Sequence, residues 1–163
     1  FSEEPSTVHD LAIAIHCVLL CLQALHKAGV FHCDLRWPNI LRAYHPDRWV
    51  VIDPDYAEVE IGKPLVHLKA AKHLPDPKIS GPATDVWMVG HLLFGELSQL
   101  WNVGDQTAKE TAASFLVQLT NPDPAECTVS KALDHPWLKN NSQLNNKAVN
   151  DYILQRKTLL LAQ

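Results

Sequence analysis

The first long stretch of the chain repeats apolar residues with a helical period. The repeating sites are three or four positions apart: Val8, Leu11, Ile15, Val18, Leu19, Leu22 and Leu25. The opposite face is also largely apolar, and such a helix lies inside a domain. Thr7 and Asp10 form a capping-box pattern at its start, and Gly29 stands where a C-terminal cap glycine would. The pattern therefore predicts a buried core helix. A signal peptide would carry basic residues ahead of it, and a membrane span needs about 20 apolar residues.

Two short apolar segments further along the chain predict a β-hairpin. Residues 40–42 and 49–52 form the two candidate strands, and the turn between them contains Pro46. The second segment ends in the acidic run Asp53-Pro54-Asp55, where the proline stops the strand ladder. A short polar loop, residues 32–39, precedes the first strand.

The remainder of the chain predicts a long ordered loop followed by helices. Residues 56–84 show no clean period and contain four prolines, and such a loop inside a compact domain is usually functional. Helical patterns follow at residues 85–100, 108–119, 129–133 and 151–161. The expected fold is thus mainly α with one small hairpin, in a single domain of 163 residues.

The net charge and the cysteines indicate which binding partners and which cellular compartment to expect. The formal net charge is −4 and no basic patch is visible, which argues against nucleic-acid and anionic-membrane partners. Four cysteines occur without a CxxC pair, so buried thiols are favoured over a metal site. This cysteine usage fits a reducing compartment, the cytoplasm or the nucleus.

The candidate chemistry lies in the polar loop and at the end of the hairpin. Asp34, Arg36 and Asn39 fall within six residues, and Asp53 and Asp55 end the neighbouring strand. Carboxylates beside an amide suit Mg²⁺, which commonly bridges substrate phosphates. A nearby cation suits a transferring phosphoryl group, and a free carboxylate suits a substrate hydroxyl. The alternative is a polar turn whose Asp and Asn side chains cap backbone groups.

Four motifs in order resemble the protein-kinase superfamily. HCDLRWPNIL at residues 32–41 is similar to the catalytic loop H-R-D-L-K-x-x-N, and VIDPD at 51–55 lies where the metal-binding D-F-G belongs. DVWMVG at 85–90 resembles the motif D-x-W-x-x-G, and NPDP with HPWL resembles the region that closes the large lobe. The resemblance covers residues 8–138. It implies a protein-kinase-like C-terminal lobe (α+β in kinase classification) over residues 1–163, with the hairpin carrying the catalytic and metal loops.

The resemblance implies a role for each candidate residue. Asp34 matches the catalytic base, and Arg36 replaces a lysine that faces the transferring phosphate. Asn39 and Asp53 match the Mg²⁺ ligands that also hold ATP, and Asn39 belongs to the catalytic loop. Asp55 occupies the glycine position of D-F-G. It either strains the backbone there or adds a metal-facing carboxylate, since residues 53 and 55 face the same way if extended.

Other matched positions concern support and regulation. Asp85 matches an aspartate that anchors the backbone of the catalytic loop. Cys33 replaces the arginine that pairs with a phosphorylated activation loop, so we expect no switching by such a phosphate. Lys72 and Cys127 align with the two halves of a buried ion pair, which is then absent as a unit. The acidic residue 55 and the Arg36-Trp37 pair resemble fungal-type kinase-like proteins.

Three functions follow from the resemblance. The first is a protein kinase, of Ser/Thr type in preference, with ATP and Mg²⁺ as cofactors and a protein substrate. The second is a catalytically impaired pseudokinase or interaction module, because the glycine-rich loop, strand lysine and helix glutamate of the nucleotide-covering lobe do not occur in these residues. The third is a small-molecule kinase of the aminoglycoside or choline type, which shares the H-x-D-x-x-x-x-N loop. The oligomeric state stays open.

Overall fold

A computed structural model describes residues 4–44, 47–68, 72–100 and 106–142. The elements in chain order are helix α1 (Val8–Lys27), strands β1 (Ile40–Tyr44) and β2 (Asp47–Val51), and helices α2 (Pro82–Leu100), α3 (Gln106–Leu119), α4 (Val129–Asp134) and α5 (Pro136–Asn141). Within the described ranges the fold is mainly α with one two-stranded sheet, which confirms the predicted class. The helix predicted at 151–161 lies outside the described residues.

Helix α1 is the central core element. The Thr7 side chain accepts a hydrogen bond from the Asp10 backbone N–H at 3.0 Å, and Gly29 takes a φ of +74° just after the helix ends. The Thr7 half of the predicted capping box and the predicted cap glycine are therefore confirmed. Its fully buried residues are Leu11, Ala12, Ala14, Ile15, Val18, Leu19 and Leu22. By length and composition alone α1 could cross a membrane, but this burial against the rest of the fold is that of a core helix.

The two strands pair antiparallel and pack one face on α1. Ile40 pairs with Val51 and Arg42 with Trp49. Ile40 and Trp49 are buried in the core, as alternation across a half-covered sheet requires. The predicted hairpin is confirmed, and β1 extends two residues further than the sequence pattern indicated. The pairing brings the loop before β1 beside the residues after β2, so the candidate residues meet at one end of the hairpin.

Helix α2 packs against α1 and against the end of α3. It begins at Pro82, three residues before the predicted start, because proline suits the first turn of a helix. Gly90 lets α3 approach closely: a Cβ there would lie 2.7 Å from Thr120 Cγ2. The sequence pattern did not predict α5, whose first turn is capped by His135 Nδ1 accepting from the Trp137 N–H.

The segment between the hairpin and α2 is a loop, as predicted, but its backbone is paired. Phe31 and Glu58 form an isolated antiparallel bridge with hydrogen bonds of 2.8 and 2.9 Å. Pro64 and Ile79 form a second bridge, flanked by bonds from Leu65 N to Lys78 O and from Ser80 N to Lys63 O. The loop is therefore tied to the polar loop at one end and closed on itself beside α2.

Candidate active site

The polar loop at 32–36 is held by a buried carboxylate at the start of α2. Asp85 is fully buried, and its Oδ1 accepts from the Cys33 N–H at 2.8 Å. Its Oδ2 accepts from the His32 N–H at 2.9 Å and from His26 Nε2 at 2.8 Å. The predicted anchoring of the loop backbone by Asp85 is thereby confirmed.

His32 links this loop to the end of β2. Its Nε2 donates to the Ile52 carbonyl at 3.0 Å, and its Nδ1 accepts from the Asp34 N–H at 3.3 Å. The two bonds are consistent only with a neutral ring that carries its proton on Nε2. The Ile52 N–H in turn donates to the Asn39 carbonyl at 2.9 Å. Residue 52 is thus bonded on both sides to the loop, which places Asp53 next to it.

Asp34 is a buried carboxylate that accepts from three donors. Its Oδ2 accepts from Arg36 Nε at 3.1 Å and from Asn39 Nδ2 at 2.9 Å. Its Oδ1 accepts from His73 Nε2 at 2.8 Å. The Asp34 side chain is 3% exposed and that of Arg36 is 49% exposed, so the guanidinium reaches solvent while its Nε stays on the carboxylate.

Asn39 uses its amide nitrogen inside the site and leaves its amide oxygen available. Nδ2 donates both to the Asp34 backbone oxygen, at 2.8 Å, and to its carboxylate. Oδ1 makes no hydrogen bond within the described part of the chain. The amide orientation is fixed by the two acceptors, so the oxygen is the atom that could meet a cation.

Asp53 and Asp55, the two candidate metal ligands after β2, lie on irregular backbone. Asp53 has a φ of +62°, a left-handed conformation that is uncommon outside glycine and is often found at functional sites. Asp55 lies in a turn, and both residues are exposed. Because the segment is not extended, the shared facing of residues 53 and 55 that an extended strand would give does not apply. Asp55 instead lines a pocket of about 290 Å³ with Lys63 and Leu65 among others.

The side-chain oxygens of Asn39 and Asp53 are of the chemical type that Mg²⁺ prefers. A free amide oxygen at Asn39 and an exposed carboxylate at Asp53 are hard oxygen ligands, and hydrated Mg²⁺ needs few of them. No cluster of three or more His, Cys, Asp or Glu side chains with metal-binding geometry occurs in the described ranges.

Cys33 is a buried, neutral thiol. Burial, and then the charges of Asp85 and Glu58, raise its pKa to about 12. Its φ of +64° shows that the chain turns sharply there, and the N–H groups of His32 and Cys33 both donate to Asp85. A protonated thiol inside the core cannot bind a phosphate in the way that an arginine does.

Cys127 is a second buried thiol at a departure from the kinase pattern. Its Sγ donates to the Leu119 carbonyl at 3.0 Å, and burial raises its pKa to about 11. Lys72 is exposed. The position aligned with the buried arginine is thus filled by a neutral group, and no charge is stranded there.

His73 is the site residue that sequence analysis missed. It lies 39 positions from Asp34 and in a loop without periodicity, yet its ring contacts the carboxylate. Burial, and then the nearby His73, lower the pKa of His91 of α2. Histidine-rich composition was the sole signal in the sequence, and nine histidines do not single one out.

The fold is that of a protein-kinase-like large lobe. The chain is homologous to protein kinases over about four fifths of its length. Crinkler effector protein 8 of Phytophthora infestans is 33% identical over 138 residues, which are 80% of this chain and 22% of that protein. The probable serine/threonine-protein kinase pXi of Dictyostelium discoideum is 25% identical, over 81% of this chain and 22% of that protein.

Further comparisons agree with this assignment. Calcium-dependent protein kinase 13 of Arabidopsis thaliana is 24% identical, over 83% of this chain and 31% of that protein. The crystal structure of the Rad53 kinase domain and SCD2 in complex with AMPPNP aligns with a TM-score of 0.56 at 21% identity, covering 82% of this chain and 60% of that one. No family model matches the sequence. The chain spans less than a third of these curated relatives.

Proposed function

We propose that this protein transfers the terminal phosphoryl group of ATP to a hydroxyl of a protein substrate, of Ser/Thr type, together with a lobe that covers the nucleotide. One observation carries the proposal. A buried carboxylate, Asp34, is oriented by three donors beside a cation and an amide oxygen, at the end of the hairpin that also presents Asp53. Such a set serves positioning and charge stabilisation, which dominate phosphoryl transfer.

Asp34 would act as the base for the substrate hydroxyl. An ionised carboxylate offers about four acceptor positions, two on each oxygen. Both positions on Oδ2 are occupied by Arg36 and Asn39, and one on Oδ1 by His73. The remaining position on Oδ1 would accept the hydroxyl proton. The fixed carboxylate lowers the reorganisation needed at the moment of transfer.

Arg36 would stabilise the charge of the transferring group. Its Nε is held by Asp34, while half of the side chain is exposed. The outer nitrogens are therefore free to meet phosphate oxygens, which a guanidinium binds in bidentate fashion. The anchored Nε limits the guanidinium to one orientation.

Asn39 and Asp53 would hold Mg²⁺, with ATP bound through the metal. When bound, the ion neutralises charge that develops on the phosphates. Asn39 contributes its Oδ1, and Asp53 an exposed carboxylate. Asp55 would act from the adjoining pocket, on metal-bound water or on the nucleotide, in preference to direct coordination. The four cysteines, none of which forms a disulfide, support a reducing cytoplasmic or nuclear location.

Binding of MgATP, followed as a shift in thermal unfolding, is the first test. Millimolar ATP with Mg²⁺ should raise the unfolding midpoint, because a ligand that binds the folded state stabilises it. The shift should vanish without Mg²⁺ and in Asp53→Ala, and persist in Asp134→Ala, an exposed carboxylate on α4. Phosphate transfer is then compared on protein substrates and on small alcohols.

Each outcome has a distinct meaning. A metal-dependent shift with transfer to protein supports the proposal, and transfer to small alcohols alone replaces it with the small-molecule kinase. No shift and no transfer, with the nucleotide-covering lobe supplied, would favour a pseudokinase or interaction module.

A further inference from the structure

We infer that His73 is a positioning residue, which fixes the Asp34 carboxylate for the phosphoryl transfer proposed above. The inference rests on that proposed function and assigns a role to a residue outside the four motifs. His73 acts through Asp34 and does not itself touch the reacting atoms.

The contact between the two side chains has one consistent proton arrangement. His73 Nε2 lies 2.8 Å from Asp34 Oδ1, and the two side chains are 18% and 3% exposed. An ionised carboxylate can only accept, so the Nε2 carries the hydrogen and donates it. Within the described residues, Nδ1 of His73 makes no further hydrogen bond. The ring therefore has Asp34 as its anchor.

The hydrogen bond from His73 determines the direction in which the last acceptor position of Asp34 Oδ1 points. Arg36 and Asn39 both lie on Oδ2 and leave Oδ1 without a donor from the catalytic loop. A bond to Oδ1 completes the fixation, because a carboxylate held at both oxygens cannot rotate about its Cβ–Cγ bond. The last acceptor position on Oδ1 then has a single direction, toward an incoming hydroxyl.

Backbone pairing in the long loop delivers His73 to this place. Leu74, the next residue, is buried in the core. The bonds from Leu65 N to Lys78 O and from Ser80 N to Lys63 O close the loop on both sides of it. His73 thus couples the order of this loop to the orientation of Asp34.

Steady-state kinetics of three variants test the inference. His73→Ala should lower kcat roughly a hundredfold, the scale expected for a misplaced catalytic group, while KM for ATP stays nearly unchanged. His73→Gln should recover most of kcat, because its amide Nε2 can donate from a similar position without acid–base chemistry. His9→Ala, an exposed histidine at the start of α1, should match the parent. Circular dichroism checks that each variant is folded.

The other outcomes overturn the inference. If the parent transfers phosphate and His73→Ala equals it, the contact has no positioning role. A faster His73→Ala would show that the contact inhibits, and a slow His73→Gln would show that the imidazole carries the proton itself. If the parent transfers no phosphate to any acceptor, the proposed function fails, and the catalytic meaning of the contact fails with it.

Discussion

Asp85 Oδ1 accepts a hydrogen bond from the Cys33 backbone N–H at 2.8 Å, across 52 positions of sequence. The bond holds Cys33 in its left-handed conformation and so turns the chain toward Asp34. The His32 N–H also donates to this carboxylate, so Asp85 accepts from two successive backbone amides. The start of α2 thereby determines where the polar loop at residues 32–39 lies.

Replacing Asp85 by alanine should destabilise the fold and disorder the loop. Two buried amides would lose their acceptor, and each unsatisfied group costs about 1–3 kcal/mol. We expect the free energy of unfolding, measured by urea denaturation, to fall by at least about 2 kcal/mol. Asp134→Ala, which removes an exposed partner of Lys139, should change it by less than about 1 kcal/mol. Equal effects of the two variants would show that the hydrogen bonds to Asp85 do not stabilise the fold.

Replacing Asp34 by asparagine should abolish transfer and leave the fold intact. The amide has nearly the shape of the carboxylate, but it cannot take the proton of a hydroxyl. Transfer to protein should fall at least about a hundredfold, the lower end for loss of a general base. The unfolding midpoint should stay near that of the parent. Unchanged turnover in a folded Asp34→Asn would contradict the assigned mechanism.

Two glycines of α2 should respond in opposite ways to alanine. A Cβ at Gly90 would lie 2.7 Å from Thr120 Cγ2 and 3.1 Å from Leu119 Cβ. Gly90→Ala should therefore cost about 1–3 kcal/mol of unfolding free energy, as overpacking does. A Cβ at Gly95 would meet nothing within 4 Å, so Gly95→Ala should gain up to about 1 kcal/mol from helix propensity. A stabilising Gly90→Ala would disprove the close approach of α3.

Activity should not require phosphorylation of the loop at 56–80. Cys33 is a buried neutral thiol, and the hydroxyl residues in that stretch are Tyr56 and Ser80. Ser80 is buried and donates to the Glu60 carbonyl. Phosphatase treatment and Tyr56→Phe should both leave kcat unchanged in a transfer assay. A loss after either treatment would show that a phosphate acts through another cation.

Stability should fall below about pH 6.5, partly through His135. Burial lowers the pKa of His135, and its Nδ1 must stay unprotonated to accept from the Trp137 N–H. In the unfolded chain His135 takes up a proton near its ordinary pKa of 6.5, whereas in the folded chain it does so only at a lower pH. Stability therefore falls between these two pH values and stops falling once the folded form is also protonated.

Unfolding at pH 7.5 and pH 5 measures this effect. His135→Asn keeps a cap acceptor and removes the titration, so the loss between the two pH values should be smaller than in the parent. A residual loss should remain, because burial also lowers the pKa of His16. An identical loss in both proteins would exclude His135 as a source.

The apolar pattern and the ordered motifs sufficed to predict helices α1 to α4, the hairpin and the kinase-like class. Helical period in α1 and alternation in β1 arise from local geometry, which a sequence carries directly. Asp85 was also predictable as an anchor, because DVWMVG at residues 85–90 resembles the kinase motif D-x-W-x-x-G. The assignment of Asp34, Arg36, Asn39 and Asp53 to chemistry stays a prediction.

Tertiary structure decided what depends on contacts between distant segments. His73 meets Asp34 because two backbone bridges close an aperiodic loop, and no local period encodes such closure. Asp55 turns away from an extended path because Asp53 is left-handed, which propensity does not indicate for aspartate in a strand end. The sequence by itself determined helices α1 to α4, the hairpin and their order along the chain. Long-range hydrogen bonds determined which side chains share the site, because they depend on how the elements pack.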